Sequence, residues 1–92
     1  MTSQAVIVVN QLGMHARAAA KFVHLAGRFD ARVSVARDQK QMDGKSIMGI
    51  VVLAARRGST ITISADGADE RAAVDALVAL VQSGFGEDAC GA

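Results

Sequence analysis

Residues Thr60 to Ala65 alternate without a break. Ile61, Ile63 and Ala65 fall on one side, and Thr60, Thr62 and Ser64 on the other. Successive side chains of a strand point to opposite faces, so this segment can bury only one of them. Such a strand belongs to an antiparallel sheet that is covered on one side and wet on the other. The rest of the chain must supply the cover. Asp66-Gly67 reads as a turn. Asp69 to Gln82 is then the clearest helical pattern, with Ala73, Ala76, Leu77, Leu80 and Val81 on one side. Asp69 and Glu70 in its first turn complement the helix dipole.

Upstream, Ala5 to Val9 reads as a buried strand. A turn or loop follows around Gly13. Ala16 to Ala26 holds no breaker and ends at Gly27, which predicts an amphipathic helix. Its apolar face is Ala16, Ala19, Ala20, Phe22, Val23 and Ala26, and Arg17, Lys21 and His24 lie opposite. Leu25 falls outside that arc. Arg32 to Arg37 alternates, Asp38-Gln39 turns, and Lys40 to Asp43 returns as a short strand before a turn at Asp43-Gly44. Ile47 to Ala55 is ambiguous. Its β-branched residues favour a strand, yet Ser46 before it is a good helix N-cap. Four short strands with helices on one face make an open-faced α/β sandwich.

The chain of 92 residues fits a single domain spanning 1–92, with an ordered core over about 4–87 and a tail at 88–92. A domain of this size buries roughly 60–65% of its unfolded surface, which leaves little room for a deep enclosed site. No apolar run reaches membrane-span length, and nothing at the N-terminus resembles a signal peptide. The single cysteine, Cys90, excludes an internal disulfide and fits a reducing cytoplasm. Residues 1–60 carry nine Lys/Arg against three Asp, a net of +6, and residues 61–92 carry Arg71 against six acids, a net of −5. The basic half holds His15, followed by Arg17, Lys21 and Arg28, and would attract phosphates or acidic protein surfaces. Nucleic acid is a poor fit, because the basic residues are dispersed and aromatic residues make up only 3% of the chain.

His15 stands where the first strand gives way to the first helix. There it can lie beside the free N–H groups and positive dipole end of the helix, a ready anion site. Neutral imidazole keeps a nitrogen lone pair free to attack, so the site could carry a phosphoryl group as well as bind one. Arg17, two residues on, has the planar charged fork that suits phosphate. A loop histidine with no role is the plainer alternative. Ser46 reads either as a plain N-cap or as a phosphorylation site at a helix start. His24 and the dispersed acids form no metal-ligand spacing, so no metal or other cofactor is expected. No nucleophile elbow, Walker loop, GxGxxG or HExxH is present.

Leu12-Gly13-Met14-His15-Ala16-Arg17 resembles the active-site motif of the HPr family, the histidine-containing phosphocarriers of the bacterial phosphotransferase system. Gly44-Lys45-Ser46-Ile47-Met48-Gly49 resembles that family's regulatory-serine segment, and the similarity runs over about residues 4–87. Met14 and the ending Ser83-Gly84-Phe85-Gly86-Glu87 lean toward the nitrogen-related branch, NPr, or a proteobacterial HPr. The resemblance implies an α/β (α+β) fold. It is an HPr-like open-faced β-sandwich, with a four-stranded antiparallel sheet ordered 1-4-2-3 and three helices on one face. It turns the Ile47 segment into a short helix. It implies that His15 accepts a phosphoryl group on Nδ1 from phospho-Enzyme I, itself charged by phosphoenolpyruvate. His15 would then pass the group to Enzyme IIA-type proteins. Arg17 would assist. Ser46 would be modified by HPr kinase/phosphorylase where that enzyme exists. Partners would dock over the first two helices, on an apolar patch of Ala20, Ile47, Met48 and Val51 ringed by Arg17 and Lys21. The protein would be a cytoplasmic monomer serving sugar transport or nitrogen regulation, a carrier rather than a stand-alone enzyme. One departure stands out: Ala18 occupies a position where the family often has proline.

Overall fold

The computed structural model describes residues 1–53 and 55–86. Its elements in chain order are β1 (Thr2–Ile7), α1 (Ala16–Ala26), β2 (Arg32–Arg37), β3 (Lys40–Asp43), α2 (Ile47–Leu53), β4 (Thr60–Asp66) and α3 (Glu70–Gln82). The strands form one sheet in the order β1-β4-β2-β3, and every neighbouring pair is antiparallel. The expected sheet order and open-faced sandwich are the ones observed.

The alternation in β4 decides which face is covered. Val6 stands opposite Ile61, Val35 opposite Ile63 and Val33 opposite Ala65, and all six are buried. On the other face the cross-strand pairs are polar. Ser3 and Ser64 share a hydrogen bond of 2.8 Å, and Gln41 Nε2 donates to Ser34 Oγ at 3.2 Å. α3 packs on β1 and β4, α2 packs on β2 and β3, and α1 packs against both helices. Phe22 of α1 and Phe85, just beyond α3, are fully buried. Removing such a buried ring costs about 3–5 kcal/mol.

Several local expectations shift. β1 runs from Thr2 to Ile7 rather than from Ala5 to Val9, because its register is set by pairing with β4 and so recruits the polar Thr2-Ser3-Gln4. Being an edge strand of an open-faced sheet, it is half-buried: Ile7 and Val9 point outward and are exposed. In α1 the buried residues are Ala18, Ala19, Phe22 and Ala26, while Ala16 and Ala20 are exposed. Leu25 packs against the core edge, which accounts for its apolar side chain. α3 buries Val74 and Val78 as well as Ala73, Leu77 and Val81. It touches the sheet and α1 at once, so its apolar arc is wider than one face. The ambiguous segment is helical over Ile47–Leu53, with Ile50 and Leu53 buried. Residue 54 of that segment lies outside the described residues, as do the expected tail and Cys90.

Candidate active site

The loop between β1 and α1 is pinned at both ends. Asn10 Nδ2 donates to Gly13 O at 2.7 Å, and Gly13 N–H donates to Asn10 O at 3.2 Å. Met14 N–H donates to Ala55 O at 2.9 Å, and the Met14 side chain is buried. Gly13 has φ +66°, and a Cβ there would sit 2.5 Å from Ala55 O and 3.0 Å from Arg56 Cα. Glycine alone tolerates both the backbone angle and the approach. The loop is therefore fixed against the segment before β4, and His15 projects from its end.

His15 is the N-cap of α1, with φ −71° and ψ 177°. Its carbonyl accepts from Ala19 N–H at 2.8 Å, and its Nδ1 accepts from Arg17 N–H at 3.3 Å. An accepting Nδ1 on a neutral ring leaves the ring proton on Nε2. The Nδ1 lone pair thus faces the N–H groups at the positive end of α1. The first turn of α1 carries no acidic residue. His15 is half-exposed and Arg17 is exposed. Among the described residues the Arg17 guanidinium makes no hydrogen bond or ion pair. A nucleophilic nitrogen, a row of backbone donors and an uncommitted guanidinium together suit attack on a phosphoryl group and stabilisation of the anion that results.

Ser46 caps α2. Its Oγ accepts from Gly49 N–H at 3.1 Å, and its carbonyl accepts from Ile50 N–H at 3.1 Å. The preceding turn is set by Asp43 Oδ1, which accepts from Lys45 N–H at 2.9 Å, while Lys45 Nζ donates to Phe29 O at 2.7 Å. Ile47 and Met48 are exposed, with Met48 at 71%, whereas Val51 is partly buried against the core. Ala20 is exposed on the neighbouring helix α1. Lys21, expected on the rim of the docking patch, is exposed and donates through Nζ to Phe85 O at 2.7 Å, which ties α1 to the end of α3. His24 lies in the last turn of α1, away from the N-cap. Among the described residues no group of three or more His, Cys, Asp or Glu could hold a metal ion.

Four exposed side chains near these positions were not expected: Leu12, Val52, Arg56 and Arg57. The two arginines adjoin the His15 loop only through the contact of Gly13 and Met14 with residues 55–56, which joins segments some forty residues apart. No local sequence pattern signals such a contact.

A family model described as the PTS HPr component phosphorylation site matches residues 2–83. The chain belongs to the HPr family. It is 52% identical over 80 residues to the phosphocarrier protein HPr of Cupriavidus necator, covering 87% of this chain and 90% of that protein. It is 42% identical to the phosphocarrier protein NPr of Shewanella violacea, covering 89% and 90%. Among solved structures, HPr-C-His from Thermoanaerobacter tengcongensis superposes with a TM-score of 0.91 at 42% identity, covering 96% of this chain and 99% of that one. The protein is therefore an HPr/NPr-type phosphocarrier of the phosphotransferase system. Among its described residues no helix is long and apolar enough to cross a membrane.

Proposed function

We propose that this phosphocarrier accepts its phosphoryl group on His15 Nδ1 from phospho-Enzyme I and delivers it to Enzyme IIA-type proteins in the cytoplasm. The observation that carries this reading is the Nδ1 lone pair, held 3.3 Å from Arg17 N–H at the start of α1. In the transfer, Nδ1 forms the new bond to phosphorus as the bond from phosphorus to the donor breaks. The Arg17 N–H that Nδ1 engages at rest becomes available to a phosphoryl oxygen, and the Arg17 guanidinium supplies countercharge. Retaining the Nε2 proton leaves the ring cationic, which makes it a good leaving group for the onward step.

Ser46 is the regulatory position in this reading. Its half-exposed hydroxyl sits beside exposed Ile47 and Met48, so a phosphate there would place negative charge at the edge of the docking patch of Ala20, Ile47, Met48 and Val51. Arg17 and Lys21 would form the charged rim of that patch, against an acidic partner.

One assay tests both roles. Wild type, His15→Ala and Ser46→Asp are incubated with Enzyme I, magnesium and phosphoenolpyruvate, and followed by intact mass over time. Wild type should gain one phosphate that brief acid removes, and His15→Ala should gain none. Ser46→Asp should gain it with a KM for Enzyme I raised by roughly tenfold, since like charge at a docking edge chiefly slows association. An acid-stable phosphate, or one that persists in His15→Ala, defeats the His15 reading. Unchanged kinetics in Ser46→Asp defeat the regulatory one.

A further inference from the structure

We infer that Arg56 and Arg57 form a basic shelf beside His15 that docks the acidic face of the phosphoryl donor protein. The inference rests on the carrier reading above and adds to it the residues that select the donor.

The shelf is rigidly mounted. Arg56 N–H donates to Ser59 Oγ at 3.0 Å, Ser59 N–H donates to Arg56 O at 2.9 Å, and Gly58 N–H donates to Val8 O at 2.7 Å. That turn is fastened to the sheet at the end of β1. The Met14–Ala55 hydrogen bond and the glycine contact at residue 13 then fasten it to the His15 loop. Arg17 thus stands in the first turn of α1 just after His15, and the backbone of residues 55–56 lies against the loop just before it. Both arginines are exposed, and among the described residues neither guanidinium has a hydrogen bond or an ion pair. Two adjacent guanidiniums with no such partner leave their field open to an approaching surface.

The opposite end of β4 differs. There Arg32 and Arg71 are accompanied by Asp66, Asp69 and Glu70, and the charges offset. The His15 end carries Arg17, Arg56 and Arg57, with no acidic residue in segments 10–17 or 55–60. β4 spans about 20 Å between the two ends, longer than the screening length of about 8 Å at physiological salt. An approaching acidic surface therefore feels the His15 end separately and is turned toward it.

The donor, rather than the acceptor, is the partner this field favours. The donor meets the carrier while His15 is unmodified and the three guanidiniums are uncompensated. Once transfer has occurred, the phosphate dianion on a ring that keeps its Nε2 proton adds a net charge of about −1 beside them. The field that gathered the donor is then partly offset, which weakens the hold on the spent donor.

The test compares wild type, an Arg56→Gln/Arg57→Gln variant and an Arg32→Gln/Arg71→Gln variant that removes the same charge from the far end of β4. Phosphorylation by phosphoenolpyruvate-charged Enzyme I is followed at low and high salt, and binding to uncharged Enzyme I is measured alongside. Melting curves verify that each variant is folded. In Arg56→Gln/Arg57→Gln, kcat/KM at low salt should fall about tenfold through KM, with the saturated rate unchanged, and the gap should close at about 0.5 M salt. The far-end variant should stay within about twofold of wild type. Equal losses in the two variants would make net charge the cause and overturn the shelf. So would no loss in either, or a loss in the saturated rate. If wild type binds Enzyme I with a salt dependence that the Arg56→Gln/Arg57→Gln variant weakens, yet acquires no phosphate, the carrier reading fails and the shelf stands. No binding by wild type overturns the shelf.

Discussion

The N-termini of α1 and α3 offer the same physics and are used in opposite ways. Each presents free N–H groups and a positive dipole end. At α3 the chain sets two carboxylates, Asp69 and Glu70, beside that end, although Asp69 makes no side-chain cap hydrogen bond. Glu70 accepts from Gly67 N–H at 3.2 Å and from Thr2 Oγ at 2.6 Å, and it pairs with the Met1 ammonium at 3.1 Å. Asp69 accepts from Asp30 N–H at 2.9 Å and Ala31 N–H at 2.8 Å. The expected dipole complement is thus also a clamp that joins β1, the turn after β4 and the segment before β2. At α1 the first turn holds no acid, the cap is an imidazole on a long 3.3 Å bond, and the Arg17 guanidinium is left without a partner among the described residues. A helix end flanked by fixed carboxylates is structural, and one left without them is open to an external anion.

The largest expected effects divide along that line. Arg17→Ala should slow phosphoryl transfer by about 10²-fold, the usual cost of losing one preorganised donor at a developing anion. Its stability should stay within about 0.5 kcal/mol of wild type, because an exposed side chain is being removed. Glu70→Gln should do the reverse, leaving transfer unchanged and lowering the melting temperature. Transfer rates and thermal melts on both proteins check the pair. A melting loss in Arg17→Ala together with a transfer loss in Glu70→Gln would erase the distinction between the two helix ends.

A pH titration sharpens the comparison at the α3 end. The hydrogen bond from Thr2, then that from Gly67 N–H, hold the Glu70 carboxyl down to about 2 from its ordinary 4.5. The bond from Asp30 N–H is the main cause that lowers Asp69 from 3.8. In both cases the unfolded chain binds the proton more readily than the folded one, so stability rises with pH through the window. The Glu70 contribution is complete above 4.5 and is lost as pH falls from there toward 2. The urea midpoint of wild type should exceed that of Glu70→Gln by a constant amount above about pH 5, and the gap should shrink below it. A gap that persists undiminished at the acid end would assign the effect to packing rather than charge.

How much of this was legible in the sequence depends on how local the determinants are. α1, β2 and β3 match their expected bounds because Gly27, Asp38-Gln39 and Asp43-Gly44 interrupt the chain where the elements end. β4 announces itself through strict alternation, and it extends only one residue further, to Asp66. β1 was displaced because nothing in Thr2-Ser3-Gln4 looks like a strand until Ala65, Ser64 and Ile63 pair with it. The alanine-rich run of α1 hid its own face, since residues 16, 18, 19 and 20 are all alanine and only the neighbouring helices decide which are buried. His15, Arg17 and Ser46 were visible through residue type and spacing. The Lys21 bond to Phe85 and the placement of Arg56 and Arg57 were not, because each joins segments more than forty residues apart.

The smallest expected effect concerns Ala18, and it probes the α1 end from the backbone. Ala18 is fully buried in the first turn of α1. Proline there would remove an N–H that has no intrahelical acceptor, and its fixed φ suits a first turn. Restricting the unfolded chain favours the variant by about 0.4–1 kcal/mol, whereas a ring forced into a filled site can cost about 1–3 kcal/mol. The proline Cδ, however, takes the place of the amide hydrogen, at the open end of the helix rather than in the core. The stability of Ala18→Pro should therefore stay within about 1 kcal/mol of wild type. The positive end of a helix contributes about 0.3–1 kcal/mol to a nearby anion, and the Ala18 N–H is one of the groups that supply it. Losing that N–H should slow transfer by less than about fivefold, because Arg17 N–H and the guanidinium remain. Single-turnover phosphorylation and a melt on the same sample measure both quantities. A transfer loss as large as that of Arg17→Ala, with stability unchanged, would put the Ala18 N–H in the cradle around the phosphoryl group. The openness of the α1 end would then rest on its backbone donors more than on the absence of carboxylates.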